Sequence, residues 1–114
     1  MPSTSTHDDF DDRAAAELLH LEKTLGDLDP DELEVELSQG VLTCVLADGQ
    51  KIIINSHHAA GQIWMAAFRQ AWHFSPMKTG DKPDGKTEWK TSQDELRATL
   101  SRLLTERLKR PVTV

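Results

Sequence analysis

Six carboxylates stand within residues 27–36: Asp27, Asp29, Asp31, Glu32, Glu34 and Glu36. No lysine or arginine lies between Lys23 and Lys51 to balance them. Oxygen donors spread over an open surface suit hard or borderline divalent ions such as Fe²⁺, Mn²⁺, Mg²⁺ or Ca²⁺. Without an enclosing cage, such binding is weak and poorly selective. Alternate residues on a strand are about 6.6–7 Å apart, where two carboxylates in water repel by roughly 0.6 kcal/mol before salt screening. Over the segment the penalty is on the order of 2 kcal/mol, a noticeable fraction of a small domain's stability. A bound cation would relieve it. Outward charge also protects an edge strand from pairing with other chains and keeps a protein soluble. The residues alone leave both readings open.

Other groups with chemical potential are fewer. His57 and His58 are adjacent, and neighbouring side chains on a strand point apart, so the pair reads as an exposed loop feature rather than a chelate. His73 reads as an ordinary surface residue, and His20 as exposed on a helix. Cys44 is the only cysteine. It excludes a disulfide framework and a thiolate metal site, and its place in an apolar alternation argues against a nucleophile. No Ser, His or Asp occupies a nucleophile-elbow or phosphate-loop context.

The elements that must position these groups follow from the apolar pattern. Phe10, Ala14, Leu18, Leu21, Leu25 and Leu28 recur at helical spacing, predicting an amphipathic helix over about 8–26. Asp8, Asp9, Asp11 and Asp12 lie in its first turn, where they complement the helix dipole. After the Asp-Pro-Asp turn at 29–31, Glu32, Glu34 and Glu36 alternate with Leu33, Val35 and Leu37, the pattern of a half-buried strand with an acidic outer face. A second strand follows from Val41, and Asp48-Gly49 signals a hairpin into a third. Two more strands run on either side of Arg69–Gln70, and residues 76–88 read as a long loop rich in Gly, Pro and Lys. A short strand surrounds Trp89. Ser92-x-x-Glu95 reads as a capping box for a second helix with the stripe Leu96, Leu100, Leu103, Leu104 and Leu108, stopped by Pro111. The order α–β(5 or 6)–α without a βαβ crossover predicts an α+β fold, an antiparallel sheet with both helices on one face.

Length and charge bound the partners. The 114 residues form one domain, read as 8–114 after a disordered tail over residues 1–7. A net charge of −6 and a pI near 5.2 argue against a nucleic-acid binder and for cations or basic protein surfaces. The start of the chain carries neither a signal peptide nor an Arg-rich presequence, and no apolar run reaches spanning length. The expectation is a cytoplasmic, bacterial protein. On the sheet face away from the helices, alternation places Trp64, either an exposed apolar group of the kind that anchors interfaces or one covered by neighbouring side chains or the Lys-rich loop.

In this arrangement the chain resembles the bacterial branch of the frataxin family. The resemblance is carried by "GVLT", "DG" and "KIIIN" within 40–55, by "QIWMA" at 62–66, and by His73-Phe74. The family resemblance implies a two-layer α/β sandwich. It also implies weak iron binding along the acidic ridge, with Glu22 and the helix-start residues Asp8, Asp9, Asp11 and Asp12 assisting Asp27, Asp29, Asp31, Glu32, Glu34 and Glu36, and His73 as an auxiliary ligand. It assigns Asn55, Gln62 and Trp64 to the patch that meets the assembly machinery. The implied partners are cysteine desulfurase and the iron–sulfur scaffold protein, with a metal-free monomer and iron-induced oligomers. The chain departs from the family pattern in having His57 and Ala59 for the usual Gln and Pro, Lys23 and Gly26 where acids are usual, and a Lys-rich insertion at 76–86. The reading is of a docking protein rather than an enzyme; ferroxidase activity, attached to some members, has no signature here. The alternative is a small acidic secretion-type chaperone, which shares the element order, dimerises, and binds an effector chain without metal.

Overall fold

The computed structural model describes the backbone of residues 6–78 and 87–114, and the side chains of residues 10–76 and 88–114. Helix α1 (Thr6–Gly26) is followed by strands β1 (Leu33–Ser38), β2 (Val41–Leu46), β3 (Lys51–His57), β4 (Gln62–Ala67), β5 (Gln70–Lys78) and β6 (Thr87–Lys90), then by helix α2 (Leu96–Leu108). The strands pair antiparallel in chain order, so that β1 and β6 are the edges.

The period-two pattern decides which face is covered. Leu42, Cys44, Ile52, Ile54, Ile63, Met65, Trp72 and Phe74 are buried and form one core with Phe10, Leu18, Leu21 and Leu25 of α1 and Leu96, Leu100, Leu103 and Leu104 of α2. Removing these side chains from water is the main stabilising term. Val41, Thr43, Asn55, Gln62, Trp64 and His73 point the other way, to the uncovered face. Val35 and Leu37, on the edge strand, are only half-buried. Where the helices meet, Arg97 of α2 grips Glu17 of α1 with two hydrogen bonds, 2.8 and 2.9 Å. Glu17 is only 4% exposed, so the guanidinium satisfies a carboxylate that water cannot reach.

Four local features differ from the sequence expectation. The first helix begins at Thr6 rather than Asp8. The predicted loop 76–88 is shorter, since β5 reaches Lys78 and β6 begins at Thr87; the rest of the Lys-rich segment lies outside the described residues. The capping box is displaced. Glu95 is itself the N-cap of α2 and accepts from the backbone N–H groups of Arg97 and Ala98, because a bridge between Lys90 and Glu95 holds 91–95 as a tight turn. Within that turn Thr91 Oγ1 accepts from the N–H of Asp94 at 2.8 Å. The β4–β5 turn uses Phe68 and Arg69 at φ 51° and 67°, a region costly for residues with a Cβ. Arg107 lies over the Phe68 ring at 3.9 Å, and that cation–π contact offsets part of the cost.

Candidate functional site

The acidic residues are distributed over three kinds of support. Glu22 sits half-buried on α1. Asp27, Asp29 and Asp31 are exposed in the connection to β1, where Asp29 Oδ1 accepts from the N–H of Asp31 at 2.9 Å and so shapes its own turn. Glu34 and Glu36 are exposed on β1, opposite Val45 and Thr43. Since Glu34, Val45 and Lys51 lie in one cross-strand row, these two carboxylates belong to the open face of the sheet.

Glu32 is different. It precedes β1 and its carboxylate pairs with Arg110, just past α2, so it is not one of the strand's outward-facing acids. Asp11 is engaged too, 2.8 Å from His58 Nδ1, while Asp12 is exposed. The side chains of Asp8 and Asp9 lie outside the described residues. Among the described residues no three His, Cys, Asp or Glu side chains converge closely enough to hold a metal ion. The border therefore offers an extended set of single oxygen donors, not a preassembled cage.

The second region is ordered. Asn55, Trp64 and His73 form one row across β3, β4 and β5, and His57, opposite Gln62, is diagonal to Trp64. Directly opposite and diagonal positions are within reach of aromatic side chains. The three rings stack. His57 lies 3.9 Å from Trp64 at an interplanar angle of 16°, and His73 lies 4.1 Å from its other face at 14°. Trp64 Nε1–H donates to Gln62 Oε1 at 2.8 Å, and Gln62 Nε2–H donates to Ser75 Oγ at 3.1 Å.

These contacts correct the reading of the histidines. His57 and His58 are not an exposed loop pair: His57 ends β3 half-buried against Trp64, and only His58 is exposed. His73, exposed as expected, is a stacking partner of Trp64. His20 is half-buried rather than exposed, with its ring near Thr24 Oγ1. Trp64 is itself half-buried. The stack was hidden from sequence reasoning because it depends on the β3–β4–β5 register, for which no residue type is a signal. Cys44 matches its expectation, since burial pushes its thiol up to about 12, which suppresses the nucleophilic thiolate at neutral pH.

Comparison with known proteins gives these regions a context. A family model for the Frataxin-like domain matches residues 3–113. The "Iron-sulfur cluster assembly protein CyaY" of Paraburkholderia phymatum is 36% identical over 104 residues, covering 90% of each chain. Its namesake in Ralstonia pickettii is 36% identical over 104 residues, covering 89% of this chain and 87% of its own. In structure, the chain is similar to frataxin from Psychromonas ingrahamii, with a TM-score of 0.75 over 96% of this chain and 97% of that one, at 20% identity. That likeness bears on the fold, which is the α/β sandwich expected. The secretion-chaperone alternative gains no support from these matches. By the span of the family match and the identity of its curated relatives, the chain belongs to the frataxin family.

Proposed function

We propose that this protein serves iron–sulfur cluster assembly as a non-catalytic docking protein, with iron as its weakly held cargo. The observation that carries the reading is the composition of the open sheet face. One edge presents Glu34 and Glu36, and the middle presents Asn55, Gln62 and the Trp64 stack. The curated relatives are named for iron–sulfur cluster assembly, which sets the process.

On this reading cysteine desulfurase and its scaffold protein are the partners. The acidic border supplies long-range attraction to a basic surface, which chiefly raises the association rate. Asp27, Asp29, Asp31, Glu34 and Glu36 would hold ferrous ion through single oxygen contacts, assisted by Glu22 of α1. Glu32 contributes only when its pair with Arg110 opens. Metal and basic partner neutralise the same carboxylates, so iron modulates docking. No helix of the described residues is long and apolar enough to cross a membrane, and the site of action proposed is the bacterial cytoplasm. The deciding experiment measures desulfurase and cluster-assembly rates with this protein added at several iron concentrations. An iron-dependent change in rate is expected; rates unaffected at every iron level would overturn the proposal.

A further inference from the structure

We infer that His57 and His73 are positioning residues for Trp64, fixing its indole so that it meets a partner edge-on. The partner surface it fits is a narrow apolar slot rather than a flat stacking platform. This inference rests on the docking reading above and adds the chemistry of the contact.

A tryptophan on an open sheet face ordinarily offers three handles: two ring faces and an N–H. Here both faces are taken, by imidazoles at 3.9 and 4.1 Å lying within 16° of parallel. The N–H is taken as well, by Gln62, which Ser75 holds in turn. His57 is itself anchored, its Nδ1 accepting from the Ala60 N–H at 3.2 Å. Among the described residues, the part of the indole that these contacts leave unengaged is its carbon edge. A guanidinium or aromatic ring cannot stack on Trp64 without displacing a histidine. Ring edges fit between aliphatic side chains, and the exposed apolar neighbours Ile53 (39% exposed) and Ala66 extend the same apolar character across β3 and β4. Holding the indole in advance removes the ordering cost that a mobile side chain would incur on binding.

The test compares His73→Ala, His57→Ala and the planar replacement His73→Phe for binding to the purified cysteine desulfurase–scaffold complex. The Trp64 indole N–H resonance is followed in the free protein. Each alanine variant should shift that resonance and weaken binding about 3- to 10-fold with the melting temperature almost unchanged, and His73→Phe should restore wild-type affinity. Wild-type affinity in both alanine variants, or a His73→Phe loss as large as that of His73→Ala, would overturn the positioning role while leaving docking intact. Failure of the wild-type protein to bind the complex would overturn the docking reading itself.

Discussion

Glu34 and Glu36 of the acidic border share one face of the sheet with the ring stack, but the two regions are built on opposite principles. At Trp64 every polar and planar group is engaged by a neighbour: His57, His73, Gln62 and, behind it, Ser75. At the border Glu34 and Glu36 are exposed on an edge strand, and no metal-sized cluster forms among the described residues. A stack of fixed geometry can select a partner by shape. A row of separated carboxylates can only attract positive charge, with little discrimination. On the proposed reading the border brings partners in and the stack decides which of them stay.

Charge that is held within the fold, unlike the charge at the border, should matter most to stability. Arg97→Ala would strand the Glu17 carboxylate between the helices and should cost about 2–3 kcal/mol in urea unfolding, somewhat below a fully enclosed pair because Arg97 is 38% exposed. A loss under about 0.5 kcal/mol would show that water replaces the guanidinium. The covered face should also reveal itself in alkali. Burial holds the Cys44 thiol up to about 12 against an ordinary value of 9.0, so the unfolded chain ionises first. Stability should fall as pH rises above 9, by about 1.4 kcal/mol per unit, and Cys44→Ala should flatten that slope.

On the open face, Trp64→Ala removes two ring stacks and the Gln62 hydrogen bond and should cost about 1–2 kcal/mol of stability, while weakening partner binding by about 1–2 kcal/mol, read by calorimetry. A large stability loss would make Trp64 a structural residue. The smallest effect belongs to the border. Glu34→Gln with Glu36→Gln should stabilise the protein by about 1 kcal/mol at low ionic strength, a gain that fades with salt. Destabilisation would mean these carboxylates have partners within the fold.

Much of the fold was legible in the sequence because strict alternation leaves little choice. Leu42, Cys44, Ile52, Ile54, Ile63 and Met65 could be assigned inward from period two alone, and all are buried. The Phe68–Arg69 turn was not legible, since neither residue favours positive φ and the compensating Arg107 is distant in sequence. The cap of α2 was misplaced because Thr91, Ser92 and Glu95 can each bond nearby backbone N–H groups, and only the Lys90–Glu95 bridge decides between them. At the site, Trp64, Gln62 and Asn55 could be placed on the open face by alternation. The roles of His57 and His73 required the register. Glu32 looked equivalent to Glu34 and Glu36, and only the return of the chain at Arg110 sets it apart.

The central claim, that free negative charge at the border receives iron, is tested most directly by residue-resolved NMR during titration with ferrous ion. Paramagnetic broadening confined to residues 27–36 and their immediate neighbours, and abolished by Glu34→Lys with Glu36→Lys, is the predicted result. Spectra without broadening, or broadening centred on His57, His58 or His73 instead, would contradict it.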